Sequence, residues 1–298
     1  MNTVEINGTG RSVKVPSSWD EMTPKQVRET FKIFDHCVRE GLSPLDFNVR
    51  ELYMLLGVRR TLKGFFQDIS GSKAFRQRSE NVYLLCEQLL GFLFSEETAA
   101  LSYDSFTNPM LSALAGIRRI HGPADLLQDL TFGEFRHASA AVNKFYSTKN
   151  ERDLDEAIAF LYRSKSRRAN RAGRKVSEID NKNVSRHIQR AKKLAPWRKN
   201  LIMMWFSNCL RYLQNGTLEI DGESVELAAL FTGDGKTTGI SFGWNDMLVE
   251  LAKENTIGNI DRVDEEPLMS VLAIMWHNYK ERRRDEQIAK AAKAAKAH

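Results

Sequence analysis

Thr23-Pro24-Lys25-Gln26-Val27-Arg28-Glu29-Thr30-Phe31-Lys32-Ile33-Phe34-Asp35-His36-Cys37-Val38 is the stretch that decides the fold class. Threonine can cap a helix, proline suits its first turn, and glutamine three residues after the threonine completes a capping box. Val27, Phe31, Phe34 and Val38 then recur at spacings of three and four, which puts them on one helical face. Gly41 is the stop signal. The same grammar repeats along the chain. Leu45, Val49, Leu52, Leu55 and Leu56 form a second helical pattern, and Val82, Leu85, Leu89, Phe92 and Leu93 place a long helix over 73–94. Thr131-Phe132-Gly133-Glu134 is another capping box and opens a helix through Phe135, Ala138, Val142 and Phe145. Glu151 to Arg163 is amphipathic, with Leu154, Ile158, Leu161 and Tyr162 inward.

Two stretches read as β-hairpins. Thr3 to Val15 alternates about Asn7-Gly8-Thr9-Gly10, and 217–227 alternates about Asp221-Gly222. Between the helices, 95–130 has no clear period and carries the breakers Asn108-Pro109 and Gly122-Pro123. Pro196 opens an apolar helix to about Leu213, in which Met203-Met204-Trp205-Phe206 reads as buried. Trp244 to Glu254 is helical. Pro267 starts a terminal helix through Leu268, Val271, Leu272 and Trp276, and its Lys290–His298 end is an exposed Ala-Lys repeat. The expected fold is a mainly α, multi-helix body with an N-terminal hairpin and a second small one near 217–227.

Charge divides the chain. The 298 residues carry a net charge of +6. Arg163 to Lys199 holds 14 basic residues against Glu178 and Asp180, a local +12, so the remainder sums to −6. The expected organisation is therefore a helical part over 1–163, a basic mobile insert over 164–196, and a C-terminal helical part over 197–298. One body with a long loop is the alternative. Val184–Leu194 reads as a helix that is basic all round. Arg167, Arg168, Arg171, Arg174 and Lys175 form one cluster and Arg186, Arg190, Lys192 and Lys193 a second. Phosphates, an acidic protein surface, or solvent alone can satisfy such a segment. It has no aromatic side chain over 164–196, and Trp197 reads as core, so nucleic acid would be held by phosphates and not read by base.

Motifs for catalysis are weak. Gly233-Asp234-Gly235-Lys236-Thr237 looks like part of a phosphate loop, but Leu230 stands where the pattern needs glycine. Glu134 and His137 share a helix face at i, i+3, a spacing that dinuclear metal bundles use twice and this chain has once. None of the six histidines pairs with a cysteine or histidine at ligand spacing. Gly-x-Ser-x-Gly is absent. The expectation is a non-enzyme with no metal or cofactor. Cys37, Cys86 and Cys209 each sit in an apolar stretch and read as reduced, buried thiols. No apolar run has membrane-spanning length, and Met1–Gly8 lacks the pattern of a secretory signal, so a cytoplasmic protein with no membrane partner is expected. Trp19, Trp244 and Trp276 read as core.

Val15-Pro16-Ser17-Ser18-Trp19-Asp20-Glu21-Met22-Thr23-Pro24-Lys25-Gln26 resembles the opening of a group of bacteriophage and prophage tail-assembly and virion-morphogenesis proteins, those of Bacteroidetes-type phages especially. Leu130-Thr131-Phe132-Gly133-Glu134-Phe135, Ala159-Phe160-Leu161-Tyr162-Arg163, Phe242-Gly243-Trp244 with Leu248-Val249-Glu250-Leu251-Ala252, and Ile257-Gly258-Asn259-Ile260 before Glu266-Pro267-Leu268 extend the resemblance over most of the chain. It implies a non-enzymatic assembly chaperone that binds another phage structural protein, a tape-measure or tail component, in the host cytoplasm or in the particle. The alternative is a sequence-nonspecific nucleic-acid-binding protein that uses Arg163–Lys199.

Overall fold

Thr23 accepts a hydrogen bond from the Gln26 amide while the Gln26 side chain accepts from the Thr23 amide, so the capping box closes as its sequence requires. It starts α1, Pro24–Arg39. A computed structural model describes residues 1–6, 11–58, 73–180, 182–220, 222–231, 244–253 and 259–296. Helix accounts for 60% of the chain, with small two-stranded antiparallel hairpins, so the fold is mainly α.

Two compact units emerge: 1–110 with 195–205, and 111–194 with 206–298. This differs from the expected division at 163 and 197. Residues 164–194 of the basic segment belong to the second unit and 195–199 to the first. The earlier boundary followed charge, whereas the units follow packing.

In the first unit, β1 (Asn2–Ile6) pairs with β2 (Arg11–Val15), Val4 opposite Val13. The turn residues of that hairpin lie outside the described residues. α1 packs on α2 (Pro44–Leu56), which has a second capping box, Ser43 with Asp46, unnoticed in the sequence. α2 packs on α3 (Lys73–Leu90), and a 3₁₀ turn, Gly91–Leu93, follows where one continuous helix was expected. Trp19 anchors the core edge-on to Tyr103 at 5.0 Å and to Phe92 at 5.9 Å. Edge-to-face pairs of this kind add to the area they bury. Trp197, read as core, is half-buried and lies under Lys32 at 5.3 Å.

The second unit holds the hairpin the sequence hid. β3 (Ser112–Ala115) pairs with β4 (Arg118–His121) inside the stretch that had no period. α4 (Phe132–Thr148) and α5 (Glu151–Leu161) pack closely, and α5 packs in turn on α6 (Val184–Ala191). α7 (Pro196–Asn215) contributes residues to both units. β5 (Thr217–Ile220) pairs with β6 (Glu223–Glu226) as expected. The remaining helices are α8 (Ala228–Phe231), α9 (Trp244–Lys253), α10 (Ile260–Glu265) and α11 (Leu268–Lys296). Phe135 lies edge-on to Trp244 at 4.6 Å, and the Phe132 amide donates to Glu266 O at 2.8 Å. Trp276, read as core, is half-exposed; it stacks on Tyr279 and donates to Glu223 at 3.1 Å. The Ala-Lys end is exposed helix as far as the described burial extends.

The three cysteines are buried and free. Burial pushes the thiol of Cys86 up to about 11 and that of Cys209 up to about 12. The glycine-rich loop 232–241 lies outside the described residues.

Candidate functional site

Residues 164–180, the first half of the insert expected to be mobile, form a bridged loop with Arg163. His121 and Arg163 exchange backbone hydrogen bonds at 2.7 and 3.1 Å, which joins the loop to β4. Lys165 bridges Val176, with Ser166 N to Lys175 O at 3.0 Å and Ser177 N to Ser164 O at 2.8 Å. The correction has a visible cause. The loop has few apolar side chains, but it buries Val176 and two arginines.

Arg163 is 2% exposed and Arg174 5%. Between them stands Glu134, the N3 carboxylate of the capping box that opens α4. Arg163 Nη2 donates to Glu134 Oε1, Arg174 Nη1 lies 3.5 Å from Oε2, and Asn170 Nδ2 donates to Oε1 at 3.2 Å. Arg174 Nη2 also donates to His121 O at 2.8 Å and to Leu161 O. Burial lowers both guanidinium pKa values, and for Arg163 the charge of Arg174 adds to it. One buried carboxylate between two guanidiniums holds loop, hairpin and α4 in register. Glu134 therefore does more than cap, and Arg174, expected in the binding surface, is a structural residue.

The other expected basic residues disperse. Arg167, Arg168 and Lys175 are exposed on the loop. Arg171 is paired with Glu265 at 3.3 Å and with Glu266. Lys192 faces Glu151, Arg152 and Asp155 across a cleft of about 470 Å3. Arg186, Arg190 and Lys193 come together.

They do so because α6 is amphipathic, not basic all round. His187 and Ala191 face inward, which leaves Arg186 and Arg190 outward, one turn apart. The β3–β4 hairpin forms the opposite wall. Gly116 takes φ +63° at its turn, a backbone that L side chains rarely adopt. Ile117 at the tip is 98% exposed. Between the walls lies a groove of about 550 Å3 lined by Ala115, Ile117, Arg118, Arg186, Gln189, Arg190 and Lys193. Four of these are cations, and none is an acid. Arg190 Nη1 donates to Ser164 Oγ at 2.9 Å, which fixes its direction. Its proton affinity is lowered by burial first, then by Arg118 and Arg186. Lys193 lays its stem against the Gly116 turn, where a glycine Cβ would stand 3.5 Å from Lys193 Cδ. Sequence reading missed Arg118. Its signal was local: Leu114-Ala115-Gly116-Ile117-Arg118-Arg119-Ile120 alternates about a glycine, too briefly to register as strand.

A further cavity of about 500 Å3 opens beside Glu134, Arg163 and Asn170. His137 stacks there on Phe160 at 4.9 Å. Arg136 holds Asp264 through two bonds at 2.6 and 3.1 Å. Carboxylates and cations line it together. Among the described residues, no three His, Cys, Asp or Glu side chains group as metal ligands, and no helix is long and apolar enough to cross a membrane.

No protein-family pattern, curated protein or solved structure matches the chain.

Proposed function

We propose that the chain is a non-enzymatic morphogenesis factor of the phage tail-assembly kind, which holds a second virion protein, a tape-measure or tail component, through apolar side chains in the host cytoplasm. The observation that carries this reading is an apolar stripe that outruns its cover. Val27 and Phe31 of α1 are buried, and Phe34 lies edge-on to Phe47 at 5.6 Å. Val38, next on the same stripe, is 64% exposed. Leu45 and Tyr83 of the same unit are exposed too, and Leu84 of α3 is 52% exposed. Helices that leave apolar side chains uncovered suit the groove-and-helix mode of holding a partner segment. The resemblance carried by Pro16, Trp19 and the Thr23–Gln26 box points the same way.

The test is co-expression with a phage tape-measure protein. The soluble yield of that protein should rise severalfold and the two should co-elute in size exclusion. Val38→Glu with Leu84→Glu should abolish both effects while circular dichroism and thermal midpoint stay unchanged. An equally soluble, non-eluting tape-measure protein would sink the reading.

A further inference from the structure

We propose that the groove between the β3–β4 turn and α6 binds the phosphate backbone of duplex nucleic acid through Arg118, Arg186, Arg190 and Lys193. The inference goes beyond the chaperone reading and stands on a different unit.

Three observations carry it. The first is uncompensated charge. Four cations line the groove without a carboxylate, and Arg118, Arg186 and Lys193 form no ion pair among the described residues. Three arginines of the same unit, by contrast, have carboxylate partners. Arg136 has Asp264, Arg163 has Glu134, and Arg171 has Glu265 and Glu266. Like charges held together repel unless an anion joins them. The second is construction. Arg190 is aimed by Ser164, Lys193 is laid on the Gly116 turn, and Arg118 is carried by a hairpin tied to Arg163. Cations left to solvent need no such aiming.

The third is spacing. Arg186 and Arg190 are one turn apart, about 6 Å along the helix axis, and Lys193 follows in the turn that closes α6, its amide donating to Arg190 O at 3.0 Å. Each strand of a duplex carries a phosphate about every 3.4 Å of helix axis, so a dense run of anions is available to such a row. A protein ligand would need a matched run of carboxylates. No aromatic side chain lines the groove, which removes the stacking platform that single strands use and favours duplex. Phosphates carry no sequence information, so a row of cations matched to them should serve one duplex sequence as well as another.

The measurement is fluorescence anisotropy of a labelled 20-base-pair duplex with the full, nuclease-treated chain at 50 and 200 mM salt. The comparison is between Arg118→Ser/Arg186→Ser/Lys193→Ser and Lys14→Ser/Lys25→Ser/Arg50→Ser, which removes the same charge from exposed sites in the other unit. Wild type should weaken at least tenfold from the lower to the higher salt. The groove variant should weaken at least tenfold at 50 mM and show a salt slope shallower by about 2 to 3. The control should stay within twofold, and two unrelated duplexes should bind within threefold. All three proteins should keep the wild-type circular dichroism spectrum. Equal losses in the two variants would reduce binding to net charge and overturn the proposal. So would displacement of the duplex by poly-glutamate of equal charge at equal or lower concentration, which would assign the groove to an acidic protein segment.

Discussion

Glu134 shows how one residue type can meet two demands. Its position three residues after Thr131 accounts for the cap. Nothing local announces that Arg163, 29 positions later, and Arg174, 40 later, converge on the same carboxylate. The two roles separate by mutation. Glutamine caps nearly as well as glutamate, as Gln26 does in α1. If capping were the whole role, Glu134→Gln would be almost neutral. Because it strands two buried guanidiniums, it should cost about 3–5 kcal/mol in urea denaturation. Thr23→Ala, which removes a cap alone, should cost about 1 kcal/mol. His187 is a second residue set by its neighbours. It is buried, and its Nδ1 has no hydrogen-bond partner among the described residues. Burial first, then Arg190, Arg163 and Arg186, hold its pKa down to about 4, against an ordinary 6.5. A lowered histidine pKa means that the unfolded chain takes up a proton before the folded one does. The neutral ring's contribution is therefore complete above pH 6.5 and lost as pH falls from 6.5 toward 4, up to about 3 kcal/mol. Denaturation midpoints measured across that window should fall for wild type and flatten for His187→Met.

At the scale of elements, the β3–β4 hairpin depends on one turn. Gly116 at φ +63° has only ordinary contacts around it, so a side chain there would be strained by conformation and not by crowding. Gly116→Val should cost about 1–2 kcal/mol and move Arg118 off the groove, so duplex affinity should drop together with stability. Gly222→Val in the β5–β6 turn, also at positive φ, should lower stability and leave duplex binding alone. The long elements were legible because capping boxes and three-four spacing are local signals. Thr23, Thr131, Pro196 and the 217–227 alternation each fell where read. The hairpin at 112–121 was not, since four-residue strands with outward Arg118 and Arg119 give too few alternations to count. The loop 163–180 misled for the opposite reason. Low apolar content signals mobility only when nothing else supplies a core. Here ion pairing to Glu134 supplies one. Of nine basic residues expected in a binding surface, only Arg186, Arg190 and Lys193 share a groove, because which face of α6 points outward is decided by what α5 covers.

At the scale of the whole molecule, charge position matters more than charge total. The chain has an isoelectric point of about 9.2, yet it combines a segment of +12 with a remainder of −6. A uniform protein at its isoelectric point has no preference between resins. This one should still be retained by a sulfonate resin near pH 9, because a surface reads the local field within about 10 Å at 0.1 M salt and not the sum over the chain. The folding of the basic segment concentrates that field further. Arg163 and Arg174 turn inward and Arg171 is paired, so part of the +12 never faces solvent. Of what remains, Arg186, Arg190 and Lys193 converge on the groove, and Arg118 joins it from outside the segment. The salt needed for elution should consequently fall much more for Arg118→Ser/Arg186→Ser/Lys193→Ser than for Lys14→Ser/Lys25→Ser/Arg50→Ser. Both remove three charges, so a response to net charge alone would shift the two elution points equally. An equal shift would mean that the fold leaves the charge spread, and the groove would lose its electrostatic distinction from the rest of the surface.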